Sequence, residues 1–312
     1  MIGPVNVAEF RRLIRHLPVL VVGHPVRGRE RYCPFFIVGS GRCGTTLLRA
    51  ILEAHPDVHV PPETYNLGEA LRAYRRYSRL PWGTLLRVVL THFEYQPHWE
   101  TFDLDMGPLF RQLAASPPAA RNLAGVLNAL YRAHATLHKP TAIRWGDKTP
   151  NNTHCLPQLR AVFPDLRAVH VVRDGRDVVS SFLRLNQLDL VGASRHWIRR
   201  VRTAQAFGAR HPDQYLEVRY ERLVSQPRST IEEVATFLGL AFDERMLRHH
   251  ELVLRLGDVE RLPHLQGVQQ AIHAEAIGRW RTEFSAAQVV ELERLMGPTL
   301  ARLGYDAAAG QH

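Results

Sequence analysis

The segment Phe35-Phe36-Ile37-Val38-Gly39-Ser40-Gly41-Arg42-Cys43-Gly44-Thr45-Thr46 constrains this chain more than any other. An apolar run stopped by glycine suits a strand buried on both faces. The glycines at 39, 41 and 44 let backbone N–H groups converge on one point. The pattern from Thr45 to Ala54 then reads as a helix, whose N-terminus adds its dipole. Strand, glycine loop and helix in that order make a cradle for a phosphate-like anion. The spacing Gly39-x4-Gly44 is that of the nucleotide triphosphatase loop, yet Thr45 stands where that loop needs lysine, and Arg42 is the nearest cation. A glycine turn without a ligand is the plainer alternative, and the agreement of all three parts favours phosphate binding.

Elsewhere short apolar runs alternate with helical ones. Strands are expected at Pro34–Val38, Val58–Val60, Ala168–Val172 and Tyr215–Arg219, and helices at Gly175–Leu185, 194–209, 228–238 and 286–303. Residues 66–138 read as mostly helical, broken at Pro81, Pro97 and Pro117-Pro118, and residues 255–275 as loop. Trp145–Asn152 reads as an ordered loop before a helix. The alternation predicts an α/β fold of the phosphate-loop-like, three-layer kind: a central parallel sheet flanked by helices, with a helical insertion. Residues 1–312 are expected to form a single domain, with a basic arm over 1–33 and the insertion over 66–140.

Charge narrows the partners. Lys+Arg number 40 against 30 Asp+Glu, a net +10, and all but Lys139 and Lys148 of the cations are arginine. That excess points to an anionic partner. The arginines are spread along the chain and no nucleic-acid motif appears, so a polyanionic small molecule is expected rather than nucleic acid. The arm up to Arg31 carries six arginines against two glutamates, which suits either solvent or peripheral contact with an anionic membrane surface. The run Leu17–Val22, broken by Pro18, is too short to span a bilayer, which needs roughly 20 residues. Cys33, Cys43 and Cys155 do not make a disulfide framework. The expectation is a cytoplasmic protein, with the inner membrane face as an optional contact. No Cys/His cluster has zinc-ligand spacing, so no metal is expected.

A second phosphate signal lies in Val171-Val172-Arg173-Asp174-Gly175-Arg176-Asp177-Val178-Val179-Ser180-Ser181. Arg173 leaves the tip of a strand, and Ser181 follows it by eight residues, about two helical turns on. An arginine and a hydroxyl there suit a phosphate in the crevice of an open α/β sheet. Ion pairing among Arg173, Asp174 and Arg176 is the alternative.

Arg42-Cys43-Gly44-Thr45-Thr46 resembles the Arg-Ser-Gly-Thr-Thr loop of sulfotransferases that use 3′-phosphoadenosine 5′-phosphosulfate (PAPS). Leu47–Thr64, LLRAILEAHPDVHVPPET, is similar to the protein-tyrosine and bacterial branch of that family. The resemblance covers roughly 34–64 and 145–305 and is weak over 66–140. It implies an enzyme with PAPS as cosubstrate and PAP as product. Arg42, Cys43, Gly44, Thr45 and Thr46 would hold the 5′-phosphosulfate, and Arg173 with Ser181 the 3′-phosphate. Tyr220 matches the family's Arg-Tyr-Glu segment bordering the nucleotide, and Arg279, in Gly278-Arg279-Trp280, its Gly-basic-Trp segment over the phosphates. Glu63, 21 residues after Arg42, matches the catalytic glutamate and is the candidate base. Lys148, in Asp147-Lys148-Thr149-Pro150, matches the reacting-centre lysine; Arg42 and Lys148 would neutralise the sulfuryl oxygens.

Plainer readings stand beside these. Glu63 suits a helix start, Lys148 a surface pair with Asp147, Tyr220 a core cap and Arg279 a surface charge. His55 and His59 are lesser candidates for the base. Cys43 departs from the family's serine. Its place at a helix N-terminus beside Arg42 predicts a lowered thiol pKa and ready alkylation. Residues 65–110 hold nine aromatics, namely Tyr65, Tyr74, Tyr77, Trp82, Phe93, Tyr95, Trp99, Phe102 and Phe110, which suit either the insertion's own core or an acceptor cleft. The acceptor stays open among carbohydrate, glycolipid, small metabolite and peptide tyrosine. A phosphate-loop kinase or hydrolase is the competing enzyme class, and a basic nucleic-acid-binding protein the competing non-enzyme.

Overall fold

A computed structural model describes residues 22–252, 257–261 and 267–305. Five strands, β1 (Phe35–Gly39), β2 (Val58–His59), β3 (Arg144–Lys148), β4 (Arg167–Val172) and β5 (Tyr215–Arg219), form one sheet in the order β2-β3-β1-β4-β5. Every pairing is parallel; Phe36 lies opposite Asp147 on one side and Ala168 on the other.

β1 is buried along its whole length, as its unbroken apolar run requires. Its side chains alternate between two cores. Phe36 and Val38 join Leu67, Tyr74, Phe93, Tyr131 and Phe163 on one face. Phe35 and Ile37 join Leu48, Val169, Val179, Trp197 and Leu300 on the other. The sheet is therefore the middle of three layers.

The helices that cover it begin with α1 (Thr45–Glu53) directly after the glycine loop. Four helices, α2 (Leu67–Arg76), α3 (Trp82–Glu94), α4 (Met106–Ala114) and α5 (Leu123–His138), occupy the stretch between β2 and β3. Pro81 is the N-cap of α3, as a residue without an N–H can be. α6 (Leu156–Val162), α7 (Gly175–Arg184) and α8 (Leu190–Arg210) follow in the second half. Then come α9 (Tyr220–Ser225), α10 (Pro227–Leu238), α11 (Asp258–Arg261), α12 (Trp280–Glu283) and α13 (Ala286–Arg302). α8 starts earlier than its apolar pattern suggests because Asp189 caps it, accepting the Gly192 N–H at 2.6 Å.

Two expectations need correcting. Trp145–Lys148 is not loop but part of β3. Arg-Trp-Gly-Asp-Lys carries no apolar run, and what makes it a strand is its place beside β1. There Gly146 leaves room for Phe35, whose ring would stand 2.3 Å from any Cβ at that position. The expected loop over 255–275 contains the short helix α11. The first 21 residues of the basic arm, with Arg11, Arg12 and Arg15, lie outside the described residues. Among the described residues no helix is long and apolar enough to cross a membrane.

Because all five strands run the same way, all five C-terminal ends open on one edge. β1 delivers the glycine loop there, β2 the segment leading to Glu63, β3 Lys148, β4 Arg173 and β5 Tyr220.

Candidate active site

Gly41, Arg42 and Gly44 have φ of 76°, 57° and 96°. These left-handed residues turn the chain sharply out of β1, and Arg42 tolerates its conformation only because the loop is fixed at both ends. Gly44 caps α1 without any side-chain bond, so the first N–H groups of α1 have no partner within the helix. A Cβ on Gly44 would stand 2.4 Å from the Tyr220 ring, which therefore packs on the loop itself. From α8, His196 Nε2 bonds the Ser40 carbonyl at 2.8 Å and fixes the loop's entry.

Arg173, at the tip of β4, is almost fully buried. Its guanidinium donates to the Arg42 carbonyl at 3.3 Å and to the Ala276 carbonyl, and lies 4.6 Å from the centre of the Tyr220 ring. Its Nε is buried with no hydrogen-bond partner. Arg42 Nε donates to Ser181 Oγ at 3.1 Å, joining the two phosphate signals that the sequence keeps 139 residues apart. Burial, reinforced by the like charges of Arg173 and Arg184, holds the Arg42 guanidinium below its ordinary value. Three arginines crowded with an unused N–H make a site that an anion relieves.

A cleft of about 340 Å³ gathers these groups. Arg42, Gly44, Thr45, Thr46, Arg173, Ser181, Tyr220 and Arg279 all line it, so eight expected ligand residues meet in one place. Arg184, which the sequence reading passed over, lines it too; its position three residues after Ser181 is the signal available in the chain. The far wall is the stretch from Gly267 to Arg279. Asp177 fastens that wall by accepting the N–H groups of Gly278 at 2.8 Å and Trp280 at 3.0 Å, a role its sequence position did not announce.

Cys43 does not join the cleft. Its side chain is fully buried among Ile37, Leu48 and Val169. Burial raises the thiol pKa, against opposing hydrogen bonds at Ser40 and Thr45 and the charge of Arg173. The expectation of a lowered pKa is thus corrected: helix dipole and neighbouring arginine are outweighed by loss of water around the sulfur.

Glu63 and Lys148 form a pair beside the cleft. Lys148 is fully buried, in register with Ile37 of β1, and its ammonium donates to Glu63 Oε1. The surface pairing of Lys148 with Asp147 is therefore excluded. The route to Glu63 is pinned throughout. Arg49 Nε donates to the Val60 carbonyl at 3.0 Å, Glu53 accepts the Val60 N–H at 2.6 Å, and Gln96 Nε2 donates to the Glu63 carbonyl at 3.1 Å. Glu63 also acts on the Arg42 guanidinium by its charge, which places the pair and the loop in one electrostatic neighbourhood.

The other candidates are absorbed by the fold. His55 bonds the Ala241 carbonyl at 3.0 Å, and His59 lies between Glu53 at 3.1 Å and His134 at 2.7 Å. Tyr74, Trp82, Phe93 and Phe102 of the aromatic-rich stretch are core residues, whereas Tyr95 is 78% exposed. Among the described residues no group of His, Cys, Asp and Glu is arranged to hold a metal.

Residues 34–244 match the model of the sulfotransferase family, well over half of the chain. The chain belongs to the sulfotransferase family. It resembles a putative protein-tyrosine sulfotransferase of Caenorhabditis briggsae, 27% identical over 286 residues that cover 88% of this chain and 90% of the relative. Similarity to the protein-tyrosine sulfotransferase 1 of Danio rerio is 27% over 288 residues, covering 88% of this chain and 72% of that one. In fold, it matches the sulfotransferase domain of the Synechococcus PCC 7002 olefin synthase with a TM-score of 0.60 at 24% identity, covering 89% and 97% of the two chains. The sulfotransferase domain from the curacin biosynthetic pathway gives 0.61 at 20%, covering 89% and 99%. This sulfotransferase is an enzyme of sulfuryl transfer, and neither the kinase or hydrolase reading nor the nucleic-acid reading is favoured.

Proposed function

We propose that the cleft binds PAPS and that the enzyme passes its sulfuryl group to a hydroxyl or amine acceptor. The observation that carries this reading is Arg173: a buried guanidinium with an unpartnered Nε, next to an Arg42 that already bonds Ser181. A nucleotide with two separate phosphate groups supplies what both subsites lack. The uncapped N-terminus of α1 with Arg42, Gly44, Thr45 and Thr46 would hold the 5′-phosphosulfate. Arg173 and Ser181 would hold the 3′-phosphate, with Tyr220 and Arg279 at its border. Cys43, being buried, would contribute through its backbone alone.

In the transfer the bond between sulfur and the bridging phosphate oxygen breaks while a bond between sulfur and the acceptor oxygen or nitrogen forms. Glu63 takes the acceptor's proton, and PAP leaves with the bridging oxygen. Charge spreading onto the sulfuryl and bridging oxygens meets Arg42 and Lys148, cations already fixed in place, so little reorganisation is needed. The names of the relatives make a tyrosine phenol the first acceptor to try. Helices α2 to α5, with Tyr65, Tyr95 and Trp99, would form the acceptor side.

Calorimetry with PAP and ATP, then transfer of labelled sulfate from PAPS to a panel of tyrosine peptides, glycans, glycolipids and small phenols, tests the proposal. Tight PAP binding with weak ATP binding and label in one acceptor class is expected. No PAP binding, or ATP bound as tightly, defeats it.

A further inference from the structure

Lys148 and Glu63 are each the neighbour in sequence of a residue that the reaction does not use. Glu63 precedes Thr64, and Lys148 follows Asp147. These two dipeptides are joined twice: once by the Glu63–Lys148 ion pair and once by a hydrogen bond from Thr64 Oγ1 to Asp147 Oδ2. Glu63 and Lys148 meet beside the cleft; Thr64 and Asp147 meet beneath them, fully buried.

A buried carboxylate is costly unless donors surround it. Asp147 has several, two of them from distant parts of the chain and the others from the residues just after it. Thr64 donates from the segment after β2, Tyr131 from α5 at 2.7 Å, and Asn152 Nδ2 from the turn after β3. Tyr131 is itself held rigid, its ring stacked parallel on Trp145 of β3 at 4.0 Å between centroids. The Thr64 N–H adds a further tie, donating to Thr149 Oγ1 at 2.9 Å. Burial pushes the Asp147 carboxyl upward, and the bonds from Thr64, Tyr131 and Thr149 offset this only in part.

We propose that Asp147, with Thr64 and Tyr131, is a positioning residue for the transfer reaction: the buried node sets the distance between Glu63 and Lys148. Neither Thr64 nor Asp147 lines the nucleotide cleft, so loosening the node moves the base without touching the donor subsites. The node also ties α5, on the side assigned to the acceptor, to the strand that carries Lys148. The inference rests on Glu63 and Lys148 serving the reaction.

Four variants test it: Thr64→Val, which keeps shape and removes the hydroxyl; Thr64→Ser, which keeps the hydroxyl; Tyr131→Phe, which removes the second donor; and Glu63→Gln. PAP affinity is measured by calorimetry and kcat with PAPS and the most active acceptor of the panel. Thr64→Val lowers kcat roughly tenfold or more, the scale of a base displaced by part of an ångström, while PAP affinity stays at the wild-type value. Thr64→Ser recovers most of the loss, and Tyr131→Phe lowers kcat in the same direction as Thr64→Val. If Thr64→Val leaves kcat unchanged while Glu63→Gln abolishes it, the positioning inference is wrong and the base assignment stands. If Glu63→Gln turns over normally, both are wrong. A Thr64→Val protein that loses PAP affinity and kcat together, with no rescue by serine, shows a general structural defect and also overturns the inference.

Discussion

Replacing Arg173 by alanine gives the sharpest quantitative test of the nucleotide site. The side chain is 9% exposed and lies between the Arg42 and Ala276 carbonyls, the Tyr220 ring and Asp177, with its nearest contact to that carboxylate at 3.6 Å. Removing one partner of a buried, hydrogen-bonded charge pair costs about 2–5 kcal/mol of binding. Asp177 would be left behind, but it keeps the N–H groups of Gly278 and Trp280, so little extra penalty comes from an orphaned carboxylate. That places the expected loss for PAP near 3 kcal/mol, on the order of a hundredfold in Kd. The assay compares PAP with adenosine 5′-monophosphate by calorimetry, because the second ligand lacks the 3′-phosphate. Arg173→Ala should weaken PAP strongly and the monophosphate little. Equal weakening of both ligands, or a PAP affinity within about threefold of wild type (a change under 1 kcal/mol), would refute the assignment of Arg173 to the 3′-phosphate.

Three further outcomes follow from the same geometry. Lys148→Arg should retain PAP binding and lose most turnover, since a fully buried compact ammonium is replaced by a larger planar fork; wild-type kcat in that variant would remove Lys148 from the reacting centre. Exposed Cys33 should alkylate rapidly and buried Cys43 slowly, with or without PAP, so fast labelling of Cys43 in the apo protein would contradict its burial. Burial, then the neighbouring His59 and His138, pushes His134 down to about 2. A base depressed in the folded state stabilises the fold above its unfolded pKa near 6.5 and loses that contribution as pH falls. Between pH 6.5 and 5 the loss from this one group is about 2 kcal/mol. Denaturant midpoints at both pH values should show a shallower slope for His134→Gln, and an unchanged slope would show that the group does not titrate as described.

The arginine-lined cleft was largely legible in the chain because its parts are local. Strand, glycines and helix adjoin in Phe35–Glu53, and Arg173 and Ser181 share one strand–helix corner. β3 was not legible, since Arg144–Lys148 gains its strand character from a neighbour more than a hundred residues away in sequence. The Cys43 reading failed for a related reason. Sequence shows the helix dipole and the adjacent arginine, but only the packed fold shows that no water reaches the sulfur. The node at Asp147 takes Thr64 and Tyr131 from separate segments, so those two hydrogen bonds have no spacing to read, and only Asn152, five residues on, is local. Arg184 was hidden among 38 arginines, and its importance lies entirely in where α7 ends.

A crystal structure of the complex with PAP would show where its two phosphates bind. The 5′-phosphate should lie on the Ser40–Thr46 loop against the first N–H groups of α1, and the 3′-phosphate on Arg173 and Ser181. PAP bound with these groups reversed, or bound away from the C-terminal edge of the sheet, would contradict that placement.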